Sequence, residues 1–278
     1  DFEKPAYLIQ EDLFGELNIG APVGNIGKIV LSGGMSEWKN KYYQAEVFSR
    51  LDTSDVSIFD FGYGQLSYQI NTLNRKQYAS EGTNILVRAK LVSGVERYYP
   101  GSTALDTVQV INGPGHDWFN FKITIDKYIK PIKYFKVGVF AEGVYSSQDF
   151  FRNYQASILS APSFNPIPES QTLFIDDYRA HQYLAGGLKA IATPYKNLDV
   201  RFEGYLFQPV YSIIKTKDNK ADYSTAFLYR HFLGMGALVY HTPIGPISVG
   251  VNYYDKNENS FSFFFHFGYT IYNKKSID

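Results

Sequence analysis

The chain has 278 residues and no cysteine, which excludes a disulfide framework and thiolate metal sites. It has no excess of either charge: Lys+Arg is 27 and Asp+Glu is 27. That removes the electrostatic case for a nucleic-acid partner. No stretch of about 18 apolar residues occurs, so no transmembrane helix is expected. The chain does not open on a charged-then-apolar leader, so it is expected either to be mature or to lack its N-terminus. G-x-S-x-G is absent, and with it the serine elbow of a lipase. The five histidines (His116, His181, His231, His241 and His266) form no metal-ligand spacing on a helix, and a polar lining of the lumen or an interface is the expected role of His181, His231 and His266. The 23 glycines are scattered rather than gathered into a phosphate loop, and no cofactor is expected.

Methionine and tryptophan are also scarce, at two each, so the apolar surface is built from other residues. Tyr (24) and Phe (22) supply it, and the aromatic fraction is 17%. The stretch His241–Tyr272 shows how they are used. Ile247, Val249, Val251 and Tyr253 alternate with Ser248, Gly250, Asn252 and Tyr254. Phe263, Phe265, Phe267, Tyr269 and Ile271 alternate with Phe264, His266, Gly268, Thr270 and Tyr272. Period two over such lengths means β-strand. Strands of about 9–11 residues, one face apolar and the other small or polar, suit a transmembrane barrel, and aromatic girdles would consume the Tyr and Phe. The slightly negative mean hydropathy agrees, because half of each strand would face a polar interior. A hairpin in a soluble β-sandwich also alternates, but soluble strands average only about 5–6 residues.

The same pattern predicts strands at Tyr7–Ala21, Lys28–Trp38, Ser57–Thr72, Asn84–Arg97, Trp118–Lys130 and Phe135–Ser147. It continues at His181–Ala192, Leu198–Pro209, Thr225–Tyr240, Ile247–Asp255 and Phe261–Tyr272. Gly- and Pro-bearing turns punctuate them, with a polar turn expected at Lys256–Ser260. Connections after Ala21, Thr72, Lys130, Ala192 and Tyr240 are short, and the others are mostly longer. Short turns on one side and long loops on the other mark an outer-membrane barrel. The longest connection, Gln148–Ala180, is expected to be structureless and functional. Eleven strands is an odd number. It leaves unpaired edges that hydrocarbon penalises, so the sheet is expected to be incomplete, or the count to be short by one of a closed twelve.

Four stretches resemble the C-terminal barrel of the outer-membrane assembly-factor superfamily, which includes BamA, TamA, two-partner-secretion translocators and patatin-fused barrels. Asn71–Gly82 (NTLNRKQYASEG) resembles the family's D-x-R-x-x-x-P-x-x-G turn, with Ala79 in place of Pro. Tyr178–Gly187 (YRAHQYLAGG) is similar to the V-R-G-F/Y element of its sixth extracellular loop, with Arg179 matching and Ala180 replacing Gly. Val200–Tyr205 (VRFEGY) resembles its F-x-D-x-G strand motif, with Glu203 in the acidic place. Gly234–Tyr254 resembles the G-x-G…(S/T)P-(I/L)-G-P-(I/L) segment before its last two strands. In the family the arginine loop precedes the last five of sixteen strands, so the resemblance implies that these eleven are the sixth to sixteenth. The Asn71–Gly82 turn and the ending FHFGYTIYNKKSID look most like barrels that follow a patatin-like phospholipase domain in Bacteroidetes-type bacteria.

The resemblance implies an all-β, antiparallel transmembrane barrel domain over residues 1–278, with 148–180 an extracellular loop folded into the lumen. It implies that Arg179 pairs with Glu203 as a lumen lock and that Phe263, Phe265, Phe267, Tyr269 and Ile271 face lipid. The barrel wall itself would be no enzyme. It would sit in the outer membrane of a Gram-negative bacterium and anchor, translocate or present an N-terminal domain. Its partners would be outer-membrane lipid, the missing strands or soluble domain of the same parent, and the membrane's assembly machinery. The rival expectations are an insertion factor with POTRA repeats, a passive porin or uptake channel, and a Ser–His hydrolase in the wall.

Overall fold

A computed structural model describes residues 8–45, 49, 51–111, 113–255, 260–271 and 275–277. The polar turn expected at 256–260, save Ser260, and the expected strand ends at Tyr7 and Tyr272 lie outside them. The chain is all-β. Strands β1 (Ile9–Val23), β2 (Gly27–Tyr42), β3 (Asp55–Asn71), β4 (Thr83–Tyr99), β5 (Gly115–Ile132) and β6 (Phe135–Ser146) follow one another. After a long loop come β7 (Gln182–Tyr195) and β8 (Leu198–Pro209), then a small hairpin, β9 (Ile213–Lys215) and β10 (Ala221–Tyr223). The strands β11 (His231–Thr242), β12 (Gly245–Tyr254) and β13 (Phe261–Phe267) end the sheet. Eleven strands form one antiparallel sheet in the order β1 to β8, then β11, β12 and β13, while β9 and β10 pair apart. The sheet is open: β1 and β13 are its edges, and an odd number of antiparallel strands points both the same way.

Turn chemistry explains the tight end of the sheet. Two residues join β7 to β8, and Asn197 takes the left-handed conformation (φ 68°) that asparagine tolerates. At β11–β12, Pro243 and Ile244 make the turn and Gly245 holds φ 135°. Pairing by direct partners lets alternation sort the side chains. On β1, Leu13, Leu17 and Ile19 point out, and Leu17 is 83% exposed. Asp12 and Asn18 of the same strand bond serines of the neighbouring β2, Ser36 and Ser32.

Several glycines sit directly opposite aromatic rings: Gly34 faces Tyr63, Gly187 faces Tyr205 and Gly250 faces Phe264. Ring atoms of each take the space a Cβ would need, as glycines at close approaches and sheet bends allow. A Cβ on Gly187 would overlap the Tyr205 ring. Gly187→Val should therefore lower stability by about 1–3 kcal/mol through overpacking, read as a lower unfolding temperature in detergent. Gly204→Ala, where nothing stands near the added Cβ, should cost less.

The inner face is not uniformly hydrophilic, which corrects the simple inside-polar expectation. Trp38, Tyr42, Phe59, Phe61 and Trp118 form one buried cluster with Phe151 and Leu159 of the long loop. Phe140, Tyr183, Tyr205, Phe207 and Tyr254 form another with Phe164, Ile167 and Tyr178. These aromatics need an apolar partner, and the loop between β6 and β7 supplies it. That loop is not structureless. It holds helix α1 (Tyr154–Ser160) and two 3₁₀ turns, Glu169–Thr172 and Asp176–Tyr178.

Strand ends also differ from the sequence pattern: β2 runs on to Tyr42, β5 starts at Gly115 and β7 runs on to Tyr195. β11 starts at His231 rather than Thr225, because the chain before it closes the β9–β10 hairpin, with Phe227 N bonded to Val210 O at 2.7 Å. The β9–β10 hairpin itself was not expected, since its strands have three residues each and are too short to show a period. β13 ends at Phe267, where Gly268 turns with φ 89°. Tyr269 and Ile271 therefore lie beyond the strand, although both remain exposed. Within β13, Phe263 is 84% and Phe265 70% exposed, and Phe267 also points outward. Near the C-terminus Ser276 N donates to Asp12 Oδ2 of β1 at 2.6 Å, and Ile277 joins the Trp38 cluster.

Candidate functional site

The loop from Ser147 to His181 occupies the space inside the curled sheet, and its bonds run to strands far apart in the sheet. Tyr42 Oη of β2 donates to Asn153 Oδ1 at 3.0 Å, and Arg152 N donates to Glu96 Oε2 of β4 at 3.0 Å. Tyr183 Oη of β7 donates to Ser163 O at 3.2 Å, and Tyr178 Oη donates to Phe232 O of β11. Glu169 Oε1 lies 3.3 Å from His266 Nδ1 of β13. One segment can touch all of these only because the sheet wraps round it. Asn153 also starts α1, its side chain accepting from Ala156 N at 2.8 Å in an N-cap.

Arg179 closes the other end of α1. Its Nη1 donates to Leu159 O and Ala161 O, both at 3.0 Å, and its guanidinium lies over the Phe174 ring. These carbonyls have no partner within the helix, and a cation there also suits the helix dipole. The residue is 7% exposed. The implied pairing of Arg179 with Glu203 is corrected: Glu203 is held by another arginine. Arg201 donates from Nε (3.0 Å) and Nη2 (2.8 Å) to Glu203 Oε1, and Tyr205 Oη donates to Glu203 Oε2. The physical reason is period two. Asp199, Arg201, Glu203, Tyr205 and Phe207 all lie on the inner face of β8, so Arg201 and Glu203 are neighbours on one strand.

Arg201 does more than neutralise Glu203. Its Nη1 donates to Tyr78 O and its Nη2 to Ala79 O, each at 2.9 Å, which clamps the β3–β4 turn against β8. Arg75 of the same turn pairs with Asp199 at 3.3 Å, and Asp199 also meets His241 Nε2 at 2.8 Å. Lys189 of β7 binds Asp126 and Tyr128 of β5, both at 2.8 Å. Tyr78, itself in a left-handed conformation (φ 54°), bonds Glu169 of the loop and Ser248 of β12. The turn, the loop and the far side of the sheet thus meet at one tyrosine. A buried charge is costly unless paired and hydrogen-bonded, and every charge of the Arg201 group has such partners.

Sequence reasoning missed Arg201, Lys189, Asp126, Asp199 and Tyr78. The i, i+2 spacing of Asp199, Arg201 and Glu203 on a predicted strand was the available signal. Nothing local points to Lys189 or Tyr78, whose partners are remote in the chain. Ser248 and His266 are direct cross-strand partners near Glu169, but the Ser248 hydroxyl is bonded to Tyr78, not to the imidazole. Among the described residues no cluster of His, Asp or Glu is arranged to hold a metal ion.

His181, at the root of the loop, is buried, with Nδ1 2.6 Å from Tyr223 Oη of the β9–β10 hairpin. Burial holds its imidazole down to about 4, against an ordinary 6.5. The unfolded chain therefore takes up a proton that the folded one refuses. The His181 contribution to stability is full above pH 6.5, falls as pH drops from 6.5 towards 4, and changes no further below. The loss should reach about 3 kcal/mol. Thermal unfolding of wild type and His181→Gln in detergent, compared at pH 7.5 and 4.5, should show the smaller pH effect in the variant.

Comparison with sequence profiles of known protein families gives no match, and no curated protein matches the chain. What the fold and site define is a class: an all-β chain whose one large curled antiparallel sheet encloses its own loop through hydrogen bonds and apolar contacts, with buried ion pairs clamping the β3–β4 turn beside it.

Proposed function

We propose that this chain is the C-terminal part of an outer-membrane β-barrel of the assembly-factor type, plugged from within, which anchors and presents an upstream patatin-like domain. The observation that carries the reading is the outer face. Large apolar side chains such as Leu17, Met35, Leu91, Leu188, Phe202 and Phe263 point outward and exposed, strand after strand. In water an apolar surface this extensive would be an aggregation liability. In a bilayer it is the lipid face of a barrel. The open edges support the same reading: unpaired backbone groups in hydrocarbon cost several kcal/mol each, so the parent protein supplies the remaining strands. By the resemblance these are the first five of sixteen. The enclosed loop argues against a passive porin, because it fills the space through which solutes would pass.

The test is fractionation of the parent protein. It should sediment with outer membranes, stay there through alkaline carbonate and high salt, and dissolve only in detergent. Recovery in the soluble fraction would end the proposal. An insertion factor differs in its upstream modules: depletion of the parent should then reduce folding of other outer-membrane proteins, whereas an anchor for one domain should leave them unaffected.

A further inference from the structure

We infer that the cavity between the plug and the inner face of β4, β5 and β6 is a binding site for a small hydroxylated carboxylate, of the size and chemistry of a sugar acid. The cavity has a volume of about 230 Å³. Ligand sites usually run from about 300 Å³ upward, so this one takes a single small ring rather than a chain. Among the described residues its lining carries two cations and one carboxylate: Arg88, Lys122 and Glu142. Lys122 Nζ is committed to Glu142 at 3.1 Å, which leaves Arg88 as the surplus positive charge. Among the described residues Arg88 forms no hydrogen bond or ion pair, and its Nε is buried without a partner. A guanidinium in such a place calls for a planar anion.

The rest of the wall says what else the ligand carries. Asn120, Gln148 and Gln171 line the cavity, and each amide both donates and accepts hydrogen bonds, although one Gln148 donor is given to Ser160 Oγ at 2.7 Å. Hydroxyl groups do the same, so they match these side chains better than an apolar body would. Asn120 is 6% exposed, and its Oδ1 has no partner, so it awaits a donor. Trp118 supplies a flat apolar wall. One free guanidinium balances one negative charge. A carboxylate therefore fits, whereas a phosphate dianion would leave a charge unbalanced in the interior.

The whole protein, extracted in mild detergent, is titrated calorimetrically with sodium glucuronate, glucose and glucose 6-phosphate. Glucuronate should bind at least tenfold more tightly than the other two. Arg88→Gln should weaken glucuronate at least tenfold while leaving glucose unchanged. Asn120→Ala should weaken both sugars, and each variant's unfolding temperature serves to show that it is folded. Absence of heat with glucuronate up to 20-fold above the protein concentration and on to millimolar levels would overturn the assignment. So would equal binding by Arg88→Gln, and tighter binding of glucose 6-phosphate would overturn the single-charge argument. The outcome is independent of the anchoring role, which the fractionation experiment tests separately.

Discussion

Arg201→Met should destabilise the protein by about 3–5 kcal/mol, because it removes one partner of a buried pair and leaves the other charged. Glu203 would keep only its hydrogen bond from Tyr205, in a position only 8% exposed. The carbonyls of Tyr78 and Ala79 would lose the donors that hold the β3–β4 turn against β8. The effect should therefore appear twice: as a lower midpoint of urea unfolding in detergent, and as new proteolytic cutting between residues 73 and 82. Arg201→Lys should recover little, since one ammonium cannot serve a carboxylate and two diverging carbonyls with the geometry of a guanidinium. The double variant Arg201→Met, Glu203→Gln should be less damaged than Arg201→Met alone, because no charge remains buried. An additive double variant would refute the pairing. A wild-type midpoint for Arg201→Met would refute the importance of the whole group.

Excising the plug should have the largest functional effect. In planar bilayers the intact parent should pass almost no current. Replacement of residues 150–177 by a short Gly/Ser link should give steady porin-like conductance. The reasoning is steric and rests on the barrel proposal. α1 and the Asp176–Tyr178 turn lie against inner-face aromatics, and their removal exposes the space those side chains surround. Arg179→Ala is the milder form. It strips the C-terminal carbonyls of α1 of a charged donor, at a cost of about 1–3 kcal/mol, and should give brief openings rather than steady current. Glu203→Gln should leave the α1 end of the loop unaffected, which separates the observed contacts of Arg179 from the implied pairing. Unchanged low conductance after excision would mean that the β3–β4 turn and the C-terminal residues block the interior by themselves, and would remove the plug role.

The alternation of side chains along each strand was legible in the residues alone. A period of two depends only on neighbours in the chain, so Leu198–Pro209 was bounded correctly and Phe263, Phe265 and Phe267 were placed on one outward face. The tight turns were equally local, since Asn197 and Gly245 are required by the turn geometry itself. The order of strands followed, because short turns force successive strands to pair. The three-residue strands β9 and β10 were invisible for the same reason, being shorter than the pattern that reveals strands.

Only the tertiary structure decided what fills the inside. Whether an inward aromatic such as Phe59 or Tyr205 meets water, lipid or a loop depends on what the sheet wraps around, and no periodicity carries that information. Arg179 and Glu203 are both inward and oppositely charged, so composition allows their pairing. Distance rules instead: Arg201 shares a strand face with Glu203, while the last turn of α1 offers Arg179 carbonyls that nothing else can satisfy. Partners as remote in the chain as Tyr78 and Glu169, or Asp12 and Ser276, are set by the curvature of the whole sheet. That curvature belongs to the sheet as a whole, and a reading of any one segment cannot supply it.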